Sequence, residues 1–172
     1  NKTGGPLPNN VIDLPDDIQR TLVLKNNQKI FKAKPEKKNR NKLKKLVKRT
    51  VNLIKKSKRP IFIIGNGAKI SNTINDIKKI IRKFKIPYAP TWATFDSFSE
   101  KDKLNIGSFG VYASRNGNFS IHNADLLIIL GSRLSAPLIG GNPKLFAPKA
   151  KKIQIDIDPH ELKEENKIST NL

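Results

Sequence analysis

Pro60-Ile61-Phe62-Ile63-Ile64-Gly65-Asn66-Gly67 is an unbroken apolar run closed by glycine. A strand with one wet face alternates apolar and polar residues. A run without alternation suits a strand buried on both faces, as in a parallel sheet. The same signature returns at Asp125-Leu126-Leu127-Ile128-Ile129-Leu130-Gly131, and a further strand is expected at Lys152-Ile153-Gln154-Ile155-Asp156-Ile157-Asp158. Ile86-Pro87-Tyr88-Ala89-Pro90 reads as a shorter strand.

Helical spacing fills the intervals. From Lys38 to Ser57, Leu43, Leu46, Val47, Val51 and Ile54 fall on one face, with Lys and Arg around them. Lys55, Lys56, Lys58 and Arg59 stand where cations favour the negative end of the helix dipole, and Pro60 ends the helix. Ser71 or Asn72 offers an N-cap for a helix with Ile70, Ile74, Ile77, Ile81 and Phe84 in one stripe. Residues 91–105 read as irregular, residues 114–123 as a short helix, and Pro159 as the first turn of a last one. Upstream, Pro and Gly isolate a short strand at Asn10–Leu14, and the aperiodic residues 19–39 read as a linker. No internal repeat of fixed period is present. This succession predicts an α/β fold, an open parallel sheet with helices on both faces.

Composition excludes several chemistries. Without Cys there are no disulfides, thiolate metal sites or Cys nucleophile. The two histidines, His122 and His160, show no metal-ligand spacing. No apolar run is long enough to cross a bilayer. The net charge of +20 invites a nucleic-acid reading. However, most of the basic residues are Lys rather than Arg, the better reader of bases and phosphates. The chain is also rich in Asn and Ile, so AT-rich coding accounts for much of the charge. The Lys faces therefore read as solvated.

Ligands in open parallel sheets bind outside the carboxyl ends of the strands, which directs attention to three tips. At Gly65-Asn66-Gly67, glycines let backbone N–H groups approach a phosphate or a ring; the third glycine of a dinucleotide fingerprint is missing, so a plain strand-to-helix turn is the alternative. At Gly131-Ser132-Arg133, Arg133 offers a planar fork for a phosphate, or is simply a surface Arg. At Asp156-Ile157-Asp158, a carboxylate suits ribose hydroxyls, while Asp158 equally suits a helix N-cap. Two carboxylates do not make a hard-cation site. No catalytic unit is visible: no Gly-x-Ser-x-Gly occurs, and His122 has no partner that would make it a base.

Together these segments resemble a known family. Asn123 to Leu134 is similar to the "NADLLLALGxR" segment of acetolactate-synthase-like enzymes, and Phe146 to Leu162 to their "FAPxAKxIxIDIDPxEI" segment. Gly5-Pro6 through Gln19 resembles the "GPVLIDLPKDVQ" that closes their first domain, and Arg59 to Gly67 the "RPVILxGxG" that opens the central one. Order and spacing agree for all four, over nearly the whole chain.

The resemblance implies the central, Rossmann-like domain of a thiamine-diphosphate enzyme. Residues 1–20 would end the preceding pyrimidine-binding domain, 21–37 would be a linker, 38–168 the central domain, and 169–172 the start of a further linker. The parent would be a cytoplasmic transferase of branched-chain amino acid biosynthesis. It would use thiamine diphosphate and Mg to decarboxylate a 2-oxo acid and join the product to a second carbonyl, as a homodimer or homotetramer, with neither nucleic acid nor membrane as partner. In the family, the Glu that activates the thiamine ring and the Mg-diphosphate motif belong to the flanking domains, so this segment would have no catalytic residues.

The central domain of acetolactate synthase binds a structural FAD. Carried over, that gives Gly65, Asn66, Gly67, Thr91, Trp92, Gly131, Arg133, Asp156 and Asp158 as cofactor-binding residues for FAD or ADP. Two segments depart from the family pattern. The family's Phe-Asp-Asp-Arg after Gly-x-Arg is replaced by Leu134-Ser135-Ala136-Pro137, and its Gly-Met-His-Gly loop by Gly107-Ser108-Phe109-Gly110-Val111-Tyr112. With Ser114-Arg115-Asn116-Gly117-Asn118-Phe119, this looks closer to members found among surface-sugar biosynthesis enzymes. The rivals are a stand-alone NAD-type nucleotide-binding module and a basic nucleic-acid-binding domain, whose binding would fall steeply with salt.

Overall fold

The four apolar segments pair into one sheet, and every pairing is parallel. The strands are β1 (Pro60–Ile64), β2 (Tyr88–Pro90), β3 (Leu126–Leu130) and β4 (Lys151–Ile155), in the spatial order β2-β1-β3-β4. This computed structural model describes residues 15–22, 40–158 and 161–162. Ile64 is level with Pro90 on one side and Leu130 on the other, and Leu130 is level with Ile155. All four strands therefore end together. The chain runs from β1 to β2 on one side, then returns to place β3 on the other. The order reverses between β1 and β3, the position at which such sheets form a crevice.

The central strands β1 and β3 supply both faces. Ile61, Ile63, Leu127 and Ile129 pack with Phe109, Ile121 of α5 (Arg115–His122), Leu134 and Phe146. Phe62, Ile64, Leu126, Ile128 and Ile153 pack on the opposite face with Ala68, Ile77, Ile81 and Tyr88. That face is covered by α2 (Arg40–Lys56), α3 (Asn66–Ile70) and α4 (Ile74–Phe84). Burying one such aliphatic side chain contributes roughly 1.5–3 kcal/mol, so the unalternating runs are accounted for by helices on both faces.

Several local readings need correction. α2 contributes Leu53 and Ile54 to the core, but Leu43 and Val47, on the same stripe, are more than half exposed. The helix meets the sheet only with its last turns. The stretch after β1 is not one capped helix but two. α3 starts directly at Asn66 and stops at Ile70. Ser71 and Asn72 do not cap α4. The Ala68 carbonyl accepts from the Thr73 amide at 3.1 Å and from the Ser71 and Thr73 hydroxyls, and Asn72 adopts φ 55°. Ile70 lies on α3, apart from Ile74, Ile77 and Ile81 of α4; Ile77 and Ile81 are buried, while Ile70 and the terminal Phe84 are exposed. The irregular stretch after β2 contains a 3-10 helix, Trp92–Ser97. β4 stops at Ile155, because the Asp158 amide donates to Asp156 Oδ1 at 3.0 Å and bends the chain away.

The chain divides into units Asn1–Asn39 and Arg40–Leu172. In the first, the described residues form a helical turn, α1 (Asp16–Gln19), closed by Arg20 on Asp16 at 2.8 Å, where the sequence reading had no helix. The strand expected at Asn10–Leu14, most of the expected linker and nearly all of the helix expected after Pro159 lie outside the described residues.

At the other end of the sheet, Asp125 fixes the start of β3 to the segment entering β1. Its carboxylate accepts hydrogen bonds from the Ser57 hydroxyl and from the amides of Lys58 (2.7 Å) and Arg59 (2.9 Å). Burial pushes its pKa up, but the Ser57 hydroxyl and those two amides outweigh burial and hold the carboxyl below the usual range. A carboxyl depressed in the folded state stabilises above its unfolded pKa of roughly 3.9, and that contribution disappears as pH falls through the folded value. Asp125→Ala is expected to cost about 2–4 kcal/mol near neutral pH, because three donors lose their acceptor. The gap from the unsubstituted chain should narrow below about pH 4. Urea midpoints at neutral and acidic pH check both.

Candidate functional site

The strand tips form a continuous row. The Thr91 amide donates to the Ile64 carbonyl at 2.9 Å, the Gly65 amide to Leu130 at 2.8 Å, and the Gly131 amide to Ile155 at 2.8 Å. Each tip is thus tied to the strand beside it. The structure brings Thr91 and Trp92, Gly65 to Gly67, Gly131 to Arg133, and Asp156 to Asp158 to the same edge of the sheet, across the point where strand order reverses.

At that point the glycines meet one another. Gly131 adopts φ +58°, and a Cβ on it would stand 2.7 Å from the Gly67 Cα and the Ala68 nitrogen. A Cβ on Gly65 would stand 2.3 Å from the Gly131 carbonyl oxygen, and one on Gly67 2.8 Å from the Gly131 Cα. The Gly67 amide donates to the Gly131 carbonyl at 2.9 Å. The Gly-x-Gly feature is therefore a contact between two strand tips. Its glycine amides point at protein acceptors, and the space a cradle would leave is filled by backbone.

Side chains fix the rest of the edge. Thr94, which the sequence reading missed, is fully buried and donates to Ile64 at 2.8 Å. Gln154, equally missed, donates to the Ser132 carbonyl at 3.1 Å. Its signal was available: a polar residue within a strand buried on both faces needs a partner. Trp92 is half exposed, with its ring 6.0 Å from that of Tyr112. Arg133 Nε donates to Glu161 Oε1 at 2.7 Å. The Glu161 carboxylate beside it, then Asp158 and Asp156, raise the pKa of the guanidinium.

The loop that departs from the family pattern is held rigidly. Asn118 bonds both polar groups of Gly110, accepting from its amide at 2.8 Å and donating to its carbonyl at 2.9 Å. The Val111 amide donates to the Pro137 carbonyl at 2.9 Å. Ser114 caps α5 through the Gly117 amide. The two unusual segments, 107–112 and 134–137, are thus built against each other, and they leave Tyr112 beside Trp92.

The glycine amides of this edge do not form a pyrophosphate cradle, because each already has a protein acceptor; Arg133 Nε has Glu161, and no buried side-chain polar atom among the described residues lacks a partner. Two hollows among the described residues lie away from this edge: an open one of about 400 Å³ along α2 at Lys45, Lys48, Arg49 and Asn52, and one of about 80 Å³ beside Tyr88 and Asp102. Among the described residues no group of three or more acidic or histidine side chains could hold a metal ion, and no helix is long and apolar enough to cross a membrane.

A four-stranded parallel sheet sandwiched by helices, with its loops gathered at a switch point, defines the chain as a Rossmann-like α/β domain. The family described as "Thiamine pyrophosphate enzyme, central domain" matches residues 47–172. The chain is 34% identical over 116 residues to a probable acetolactate synthase large subunit of Methanocaldococcus jannaschii, covering 67% of this chain and 20% of that protein. It is 29% identical over 163 residues to acetolactate synthase 1, chloroplastic, of Nicotiana tabacum, covering 94% of this chain and 24% of that protein. The chain belongs to the thiamine pyrophosphate enzymes, as their central domain, and its relatives there are acetolactate synthases. It spans about a fifth to a quarter of the length of the curated relatives it matches. Neither a stand-alone NAD-type module nor a nucleic-acid-binding domain is favoured by this membership.

The glycine contact makes a direct prediction. Gly65→Ala or Gly131→Ala should destabilise the chain by about 2–4 kcal/mol, because the clash is with backbone and cannot relax through a side chain. Gly141→Ala, where a Cβ meets nothing within 4 Å, should stay within about 0.5 kcal/mol. Chemical denaturation of the three variants checks the contrast.

Proposed function

We propose that this chain is the central scaffold of a thiamine-diphosphate- and Mg-dependent enzyme of the acetolactate-synthase type. The parent would decarboxylate a 2-oxo acid such as pyruvate and join the product to a second carbonyl. The observation that carries the reading is the match to acetolactate synthases over 94% of the chain, running through both the strand-tip segments and the upstream residues. Thiamine diphosphate, when bound, supplies the electron sink for decarboxylation. The residues described above take no part in that chemistry. They hold four strand ends level and present a rigid edge to the rest of the polypeptide.

On this reading residues 1–20 belong to the preceding domain, 21–37 link it to the central domain at 38–168, and 169–172 begin the next linker. The parent is a cytoplasmic homodimer or homotetramer, and its Lys-rich faces are solvated rather than bound to nucleic acid or membrane. Of the cofactors, Mg belongs with thiamine diphosphate outside this segment. FAD or ADP would sit at Gly65, Asn66, Gly67, Thr91, Trp92, Gly131, Arg133, Asp156 and Asp158, all at one edge of the sheet, with the Gly65, Gly67 and Gly131 amides already bound to protein acceptors.

The test is catalytic. A protein spanning the full length of the relatives, supplied with thiamine diphosphate and Mg, should consume pyruvate with release of carbon dioxide and form acetolactate. The 172-residue chain alone should not. No pyruvate consumption under those conditions, with correct folding shown by circular dichroism, sinks the assignment.

A further inference from the structure

α2 is the element least accounted for by the fold. Leu53 and Ile54 of its last turns pack against the core, and no residue of the helix is buried. Leu43, Val47 and Ile54 share one helix face, at i, i+4 and i+11, yet Leu43 is 56% exposed and Val47 53%. The apolar stripe therefore runs on past the part that the sheet covers. Eight of the 17 residues are Lys or Arg, and none is acidic. Arg40 and Lys44 border the stripe. Like charges stand one turn apart at Arg40 and Lys44, Lys44 and Lys48, and Lys45 and Arg49, an arrangement that opposes the helix. Among the described residues none of these five cations makes an ion pair.

A partner that relieves both costs must bring apolar residues to the stripe and carboxylates to its borders. A second copy of this chain does not, because with a net charge of +20 it sets cation against cation. Nor does a flat bilayer. The uncovered stripe faces the same way as Ile54, toward the side on which the domain itself lies, so whatever covers it must be narrow. A helix, roughly 10–12 Å across with its side chains, has that shape. We infer that the amino-terminal half of α2 is a docking site for an acidic amphipathic helix of another protein. That helix lays its apolar face along Leu43 and Val47 and sets its carboxylates beside Arg40 and Lys44. Opposite charge speeds its arrival and fixes its register, and the apolar contact holds it.

The probe is a fluorescein-labelled synthetic peptide with leucine at the a and d positions of its heptads and glutamate at most others. A scrambled peptide of the same composition is the control. Both are titrated by fluorescence anisotropy at physiological salt, where exposed charges are strongly screened. The proteins are the 172-residue chain, a protein spanning the full length of the relatives, and Leu43→Glu, Val47→Glu and Lys44→Glu variants of each, with circular dichroism as the fold check. The patterned peptide should bind both proteins about ten-fold or more tighter than the scrambled one. Each variant should weaken it by a similar factor, while Leu145→Glu, at an exposed leucine outside the helix, should leave it unchanged. Equal binding of the two peptides, or no binding, overturns the inference. Binding by the chain but not by the longer protein overturns it in favour of a cover supplied by the same polypeptide. A dimer in sedimentation that Val47→Glu dissolves overturns it in favour of a second copy, and flotation with phosphatidylserine vesicles that Val47→Glu abolishes overturns it in favour of a membrane. None of these outcomes bears on the pyruvate assay, which tests the proposed function separately.

Discussion

Parallel pairing of β1 with β3 is the constraint on which the rest of this domain depends. It brings two strand tips, Gly65 to Gly67 and Gly131, into backbone contact at a distance no larger residue permits. With that contact made, β2 is added outside β1 and β4 outside β3, and both join with their ends level. The helices then cover two faces whose apolar residues come from the same strands. Asp125 serves the opposite end of the sheet in a similar way, joining the residues before β1 to the start of β3. The central strand pair is therefore pinned at both ends, once by glycine packing and once by a carboxylate.

The strands and their parallel arrangement were legible because burial on both faces leaves its mark in composition. Ile61 to Ile64 and Leu126 to Ile129 contain no polar residue, and only a doubly covered strand tolerates that. The placement of candidate residues at one edge followed from the same logic, since each lies just beyond a strand. The order β2-β1-β3-β4 was not legible, because it depends on contacts between residues far apart in sequence. The α3–α4 break was hidden for a local reason. The isoleucine spacing continues across it, while the turn itself is closed by Ser71 and Thr73 folding back on the Ala68 carbonyl.

The contact between the glycines was hidden for a different reason. Sequence shows that a position lacks a side chain, but not which neighbour needs the room. Gly65 and Gly67 look the same whether they face a phosphate or a second glycine, and only the position of Gly131 decides. Arg133 raises the same difficulty: its donor fork was visible, but the carboxylate bound to its Nε comes from beyond the next strand. Thr94 and Gln154 were overlooked although polar residues in buried surroundings imply partners.

The meeting of Gly65, Gly67 and Gly131 also limits how this family member can diversify. None of the three positions can gain an atom without displacing main chain, and none has a side chain to lose. The floor of the crevice is in that sense frozen. Variation at this edge is left to the exposed side chains around it, such as those at positions 92 and 112, which stand clear of the sheet beneath them.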